Sequence, residues 1–183
     1  MKKLEEMTLQ ELWELFPIEL VPHNHNWESQ ACEEICFLDN LLDSFNPVIN
    51  HIGSTAIPGI CAKPIVDILI EVPAAEDWNS IATILKTNGY ILMNRAHHRM
   101  SFNKGYTIDG YADNVFHIHV HETGDNDEIL FRDFLRSHAD TAREYESLKL
   151  SLLPTFRHDR DGYTAAKTQF VTDVLSLARR SDS

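Results

Sequence analysis

The stretch HIGSTAIPGICAKPIVDILIEV, residues 51–72, decides how this chain folds. From Pro64 to Val72 it is nearly continuous in apolar and β-branched residues, which is typical of a central strand buried on both faces. Asp67 interrupts this run, and burying a lone carboxylate is costly unless it is paired or ligates a metal. The sequence therefore predicts either a functional site at Asp67 or an ion pair to a nearby Lys or Arg.

The Gly53-Ser54 dipeptide follows a short strand candidate over residues 48–52. A tight Gly-Ser turn lets backbone amides approach phosphate oxygens without a Cβ in the way, although most such dipeptides are only turns. The second glycine and the lysine of a P-loop are missing, so ATP hydrolysis of that type is not expected. Strand alternation predicts that Asp67, Leu69 and Glu71 share one face.

The run FHIHVH, residues 116–121, alternates strictly and predicts another strand. Period two places His117, His119 and His121 on one face. Imidazoles in a row suit a divalent metal or contact with a phosphate. The alternative is a solvated polar face opposite a packed one, and His121 is interpreted as a surface residue.

Helical patterns flank a strand-rich middle. Thr8 with Glu11 forms a capping-box pattern, and Cys32 and Cys36 fall one turn apart on a predicted helix, where we expect buried thiols. Residues 104–114 are interpreted as a polar turn region, and Pro154 as the break between two of three C-terminal helices. The expected fold is α+β, a mixed β-sheet of about five strands with helices packed on it.

Composition narrows the function classes. The chain has 183 residues and a net charge of −12, which argues against binding to nucleic-acid polymers or anionic membranes. No apolar run approaches the ~20 residues of a spanning helix, and an acidic start predicts no secretory signal. Three cysteines do not suit a disulfide scaffold, so a cytoplasmic location is expected. Residues 51–121 hold five Lys and Arg against six Asp and Glu, so this segment is compatible with a small anionic ligand.

Residues 51–68 resemble the signature of the GrpB-like family, which belongs to the nucleotidyltransferase superfamily with the fold of the DNA polymerase β catalytic core. The resemblance covers roughly residues 20–178. The other matching segments are Val21-Pro22-His23 with Trp27, His98-Arg99 with Phe102 and Lys104, residues 116–120, residues 130–136, Glu144-Tyr145 with Leu148-Lys149, and Tyr163-Thr164 with Lys167. We therefore expect a helical extension over residues 1–19 and a single domain over residues 20–183.

The resemblance implies that Gly53 and Ser54 hold nucleotide phosphates and that Asp67 takes the first metal-binding carboxylate position. The second acidic position is Leu69, and the His-rich strand offers His117 and His119 instead of a third carboxylate. Magnesium prefers oxygen ligands, whereas imidazole suits transition metals. The implied cofactor is thus a divalent metal, Mg or a transition metal, held by Asp67 and one or two histidines, or none. Glu71 is a poorer substitute, about 7 Å along the strand.

A scattered set of cations completes the candidate site. Read from the sequence alone, each is a surface charge, but on the implied fold they can converge on a phosphate. The set comprises Lys63, Arg99, Lys104, Arg132 and Lys167.

Three functions follow from the resemblance. The first is transfer of a nucleotidyl or phosphoryl group to a small acceptor, with Asp67 and Lys63 as catalytic residues. The second is a non-catalytic module that binds a nucleotide or phosphorylated metabolite; similar domains fused to dephospho-CoA kinase imply a CoA-related ligand. The third is a transition-metal-dependent hydrolase built on Asp67, His117 and His119. The sequence leaves the oligomeric state open.

Overall fold

The computed structural model describes residues 6–181. The first five residues, on which the expectation of no secretory signal rests, lie outside this part. The described helices are α1 (Leu9–Leu15), α2 (Asn26–Leu42), α3 (Trp78–Thr87), α4 (Asp127–Ser137), α5 (Ala139–Phe156) and α6 (Arg160–Ser181). The strands are β1 (Val48–Ile52), β2 (Val66–Val72), β3 (Ile91–Ala96), β4 (Arg99–Thr107) and β5 (Gly110–Glu122).

The five strands form one sheet in the order β1-β2-β5-β4-β3. Only β2 and β5 pair in parallel, and the other neighbours are antiparallel. The predicted mixed five-stranded sheet and the α+β class are therefore confirmed. The parallel register sets Asp67 opposite His117 and Leu69 opposite His119, so the two unusual sequence runs lie side by side.

One face of the sheet carries the main hydrophobic core. Ile68 and Ile70 of β2 and Ile118 of β5 are fully buried there with residues of α2 and α3. Alternation sends Asp67 and His117 to the other face. A second, smaller core joins α4, α5 and α6 to Ile57 and Ile60, the segment that follows the Gly-Ser turn. The C-terminal helices are thus packed beside the turn that bears the candidate site.

Local predictions met different outcomes. The capping box is confirmed, since the Thr8 hydroxyl accepts from the Glu11 amide at 3.2 Å and the Glu11 carboxylate accepts from the Thr8 amide at 2.7 Å. The prediction of buried thiols is wrong, because the buried stripe of α2 passes through Trp27, Ala31, Leu38 and Leu42 and leaves Cys32 and Cys36 exposed beside it.

One predicted break is narrower than expected and another is absent. The turn predicted over residues 104–114 is confined to residues 108 and 109, and the rest of this segment is the distal part of the β4–β5 hairpin, which is polar because it projects beyond the core while its backbone stays paired. Pro154 lies inside α5, which ends two residues later, so the missing amide affects only the last turn. Among residues 6–181, no helix has the length and apolar character needed to cross a membrane.

Candidate functional site

Asp67 lies between two imidazoles of the neighbouring strand. Its Oδ1 atom is 3.3 Å from Nδ1 of His117 and 3.6 Å from Nε2 of His119. The pairing follows from the parallel register, which sets Asp67 beside His117 with His119 next on the same face. The ion pair to a Lys or Arg considered from the sequence is not what holds this carboxylate.

The two histidines keep Asp67 ionised. Burial alone would raise the pKa of the Asp67 carboxyl, but hydrogen bonds and charge from His117 and His119 outweigh it and hold the pKa below its ordinary value. Burial lowers the pKa of His117. Burial also acts to lower the pKa of His119, but Asp67 outweighs it and the pKa is raised. The pKa values of the two imidazoles beside this carboxylate are thus shifted in opposite directions.

The Gly-Ser loop (residues 53–56) packs directly against this carboxylate. Gly53 has φ 72° and ψ −174°, a region essentially restricted to glycine. A Cβ at this position would lie 2.9 Å from Cβ of Asp67. Tyr145 of α5 hydrogen-bonds the Ser54 side chain, and its pKa is raised to about 12, chiefly by burial. The loop predicted to hold phosphates is therefore adjacent to Asp67.

Two arginines of α4 anchor the loop from behind. Nη1 of Arg132 donates to the carbonyl of His51 at 2.7 Å, just before the loop, and Nε of Arg136 donates to the carbonyl of Ala56 at 2.8 Å, at its end. Arg132 also pairs with Asp133 at 2.7 Å. The structure thus places Arg132, predicted as a phosphate ligand, on the loop backbone.

A hydrogen-bonded chain connects His117 to α6. The Tyr106 hydroxyl lies 2.7 Å from Nε2 of His117, and Nη1 of Arg160 donates to that hydroxyl at 2.9 Å. Arg160 also donates to the hydroxyl of Tyr111. Phe16 seals the pair of tyrosines from outside, with ring centroids 4.8 and 5.0 Å away.

Four cations lie around the same region, and we call them the cationic cluster: Lys63, Lys149, Arg160 and Lys167. Nζ of Lys63 and Nζ of Lys167 are 5.9 and 4.6 Å from the ring centroid of Tyr163. Lys149 is 2% exposed and donates to the carbonyl of Cys61. Among residues 6–181, no carboxylate oxygen lies within 4.0 Å of a side-chain nitrogen of the cationic cluster.

Burial is the main cause of the lowered pKa values of the lysines, and for Lys63 and Lys149 neighbouring cations add to it. Burial, followed by the charges of Lys167 and Arg160, lowers the pKa of Lys63 to about 8. Burial and Lys167 likewise lower the pKa of Lys149 to about 7. Burial lowers the pKa of Lys167, which Asp67 opposes. A cluster of cations that lacks ion-paired carboxylates is suited to an anionic ligand.

Two other cations predicted to bind phosphate form ion pairs with carboxylates outside the cationic cluster. Lys104 faces α2, where its Nζ lies 2.7 Å from Oε1 of Glu34. Arg99 is half exposed and pairs with Asp125 at 2.5 Å. The structure therefore brings Lys63 and Lys167 to the candidate site and leaves Lys104 and Arg99 outside the cationic cluster.

Sequence reasoning missed several residues of the site. Lys149 and Tyr145 were noted only as part of the family resemblance, and Tyr106 and Arg160 were not singled out. The available signal for Tyr106 was Gly105, which has φ 90° and marks a register shift in the β4–β5 hairpin. Bulges of this kind re-aim a side chain, here the Tyr106 ring toward His117. His121, predicted on the surface, is 4% exposed because its Nδ1 hydrogen-bonds the Asp125 carbonyl at 2.9 Å.

The donor set does not fit the magnesium that the resemblance implies. Leu69, at the second acidic position, is fully buried. The Glu71 carboxylate accepts from the Gly124 amide at 2.8 Å and the Asn126 amide at 3.1 Å. Among residues 6–181, no group of three His, Cys, Asp or Glu side chains is arranged to hold a metal ion. Asp67 is thus a single carboxylate flanked by two imidazoles, whereas Mg²⁺ requires mainly oxygen ligands.

Comparisons with known proteins agree with this fold. Glutamate-rich protein GrpB of Alkalihalophilus pseudofirmus is 34% identical over 163 residues, covering 86% of this chain and 93% of that protein. The crystal structure of GrpB from Enterococcus faecalis superposes with a TM-score of 0.73 at 25% identity, covering 89% of this chain and 98% of that one.

A cytoplasmic RNA terminal U-transferase superposes with a TM-score of 0.51 at 12% identity over 81% of this chain and 48% of that one, a likeness of fold alone. The fold is therefore nucleotidyltransferase-like. The family model of the GrpB protein matches residues 17–177. This chain therefore belongs to the GrpB family.

Proposed function

We propose that this protein binds a small nucleotide or phosphorylated metabolite, with its phosphates against the Gly-Ser loop and the cationic cluster. The observation that carries the proposal is the set of four cations grouped without an ion-paired carboxylate beside this loop. Each charge-assisted hydrogen bond from such a cation to a phosphate contributes about 1.5–3 kcal/mol. Phosphate oxygens would also relieve the repulsion among Lys63, Lys149 and Lys167.

The proposed binding requires no divalent metal. In a two-metal site, carboxylates hold cations that neutralise the phosphates. Here that neutralising charge comes from the side chains of Lys63, Lys167 and Arg160. We therefore expect phosphates to bind in the presence of EDTA, and we consider a transition-metal hydrolase unsupported by the arrangement of Asp67, His117 and His119.

A thermal-shift and calorimetric panel tests the proposal. The ligands are pyrophosphate, nucleoside triphosphates and CoA species, each with EDTA and with Mg²⁺. We expect binding in EDTA, weakened about 10- to 100-fold in Lys167→Met, which keeps the apolar stem but removes one charge-assisted bond. Arg99→Gln is the matched control, because it removes a cation outside the cluster. No binding by any ligand, or equal losses in both variants, would contradict the proposal.

Asp67→Asn separates metal-free from metal-mediated binding. If the cationic cluster holds the phosphates directly, removing the nearby negative charge strengthens pyrophosphate binding in EDTA. If a metal on Asp67 holds them, the same substitution abolishes binding and Mg²⁺ restores nothing. Tighter binding by the variant supports the proposal, and loss of binding counts against it.

Group transfer from a nucleotide to a small acceptor is the second candidate function. The observation that favours it is the position of Asp67, an ionised carboxylate packed on the Gly-Ser loop. In this reading an acceptor hydroxyl, held by a hydrogen bond to Asp67, attacks the transferred phosphorus, the P–O bond to the leaving phosphate or pyrophosphate breaks, the proton of the hydroxyl passes to solvent, and Lys63 neutralises the charge on the leaving group. Incubation with nucleoside triphosphates, divalent metals and a panel of small acceptors tests it. Turnover that persists in Asp67→Ala, or the absence of any product, would remove this candidate.

A further inference from the structure

Asp67 is the carboxylate whose charge acts on Lys63 and on Lys167, yet it pairs with neither of them. A carboxylate whose charge acts on two lysines would be expected to move toward them and neutralise one. Its Oδ1 atom is instead engaged by His117 and His119. Groups on the far side of the His117 ring must therefore keep its Nδ1 atom available as a hydrogen-bond donor to Asp67.

The donors and acceptors along the chain from α6 determine which nitrogen of His117 carries the proton. Arg160 can only donate, so the Tyr106 oxygen accepts from it. The Tyr106 hydroxyl lies 2.7 Å from Nε2 of His117, and its oxygen still has a lone pair, so this contact by itself permits either direction. The ionised Asp67 carboxylate opposite Nδ1 can only accept, which places the proton of a neutral His117 on Nδ1 and leaves Nε2 to accept from Tyr106.

We infer that Arg160 and Tyr106 are positioning residues that hold His117 as its Nδ1–H tautomer, so that Asp67 stays bound to the imidazoles and away from the cationic cluster. We call the four residues Asp67, His117, Tyr106 and Arg160 the relay. The relay keeps the lysines free for an anion. The role of the relay in keeping the lysines free for an anion rests on the proposed function, whereas the tautomer of His117 does not.

The residues around the relay fix the position of the Tyr106 ring and keep its hydroxyl protonated. The register shift at Gly105 aims Tyr106 at His117, and a Cβ at Gly105 would collide with the carbonyl of Asn114. Phe16 is 3% exposed and covers the tyrosine rings. Burial raises the pKa of Tyr106, so its hydroxyl keeps the proton that the relay needs.

Nitrogen NMR of the ligand-free protein reads the tautomer directly. In protein labelled with ¹⁵N-histidine at a pH where His117 is neutral, we expect a protonated-type shift at Nδ1 and an unprotonated-type shift at Nε2. His117→Gln assigns the signals by their loss. In Tyr106→Phe, which keeps the ring, Nε2 loses its donor, and we expect its shift to change and the fraction of the Nε2–H tautomer to rise. An Nε2–H tautomer in the native chain, or unchanged shifts in Tyr106→Phe, would overturn the inference.

Tyr111→Phe is the matched control. It removes the other hydroxyl that accepts from Arg160, together with the hydrogen bond between Tyr111 and Tyr106, but leaves the Tyr106 hydroxyl and Asp67 beside His117. We expect its His117 shifts to match those of the native chain, and equal changes in both variants would show a merely structural effect. Arg160→Gln gives a second test that leaves both tyrosines intact. It should also move the His117 shifts, and Arg160→Lys, which keeps a donor, should restore them in part.

The effect on binding is a separate readout. With Asp67 released toward the lysines, we expect Tyr106→Phe to bind pyrophosphate about 2- to 10-fold more weakly, and Tyr111→Phe to bind unchanged. A confirmed tautomer with no pyrophosphate binding in the native chain would refute the proposed function and leave the relay intact. Binding that is present but equal in the native chain and Tyr106→Phe would refute the protective role of the relay.

Discussion

Gly53→Ala should be one of the most damaging single-methyl additions in the chain. Gly53 has φ 72° and ψ −174°, and a non-glycine residue in such a region costs about 1–3 kcal/mol. The added Cβ would also lie 2.9 Å from Cβ of Asp67, and overpacking of this kind costs about 1–3 kcal/mol more. The two effects predict a loss of at least about 2 kcal/mol in the free energy of unfolding.

Gly59→Ala is the control, since Gly59 has φ 81° but nothing within 4 Å of an added Cβ. It carries the backbone cost alone. Urea denaturation monitored by circular dichroism gives both free energies, and about 1 kcal/mol corresponds to about 2–4 °C in Tm for a chain of this size. We also expect Gly53→Ala to lose pyrophosphate binding. Equal stability of the two variants would refute the close packing of Gly53 on Asp67.

Burial lowers the pKa of His51 to about 4, so the folded state resists a proton that the unfolded state takes up below its pKa of about 6.5. Stability should fall by about 2 kcal/mol between pH 7 and pH 4.5, and less in His51→Gln; parallel pH profiles of the two proteins would contradict this. Lys104→Met should cost about 2 kcal/mol, because it leaves the Glu34 carboxylate buried, while pyrophosphate affinity stays unchanged in calorimetry. A loss of affinity would place Lys104 in the site after all. Pro154→Ala should raise Tm by a few degrees, since it restores an amide inside α5; an unchanged or lower Tm would count against that reasoning.

The predicted features that the structure confirms are those set by local pattern. The nearly continuous apolar run of residues 64–72 and the alternation of residues 116–121 predicted two strands, and parity predicted which face of its own strand Asp67 and the histidines take. The strand pairing itself came from the family resemblance, since a parallel pair joins residues about fifty positions apart and no local pattern specifies it.

The cationic part of the site was predicted only in part. Lys63 precedes β2 and Lys167 lies on α6, and both are at the site. Lys104 was misplaced because the register of β4 decides its face, and nothing in its own neighbourhood reveals Glu34 as a partner. The role of Tyr106 was not predicted, because a register shift beside it directs its ring toward His117. This shift breaks the alternation from which side-chain direction in a strand is predicted.

The burial of Leu69 limits which substitutions at the candidate site the fold can tolerate. Its side chain is fully buried beside His119, which already faces Asp67, so a carboxylate introduced there would compete with Asp67 for one imidazole, and burying it without a partner costs several kcal/mol. That cost is a large share of the 5–15 kcal/mol by which a typical domain is folded. A single substitution to the two-carboxylate pattern is therefore expected to lower stability by a large part of that range. The cationic cluster can vary one residue at a time, whereas a paired-metal centre would need a carboxylate at position 69 together with compensating changes around it.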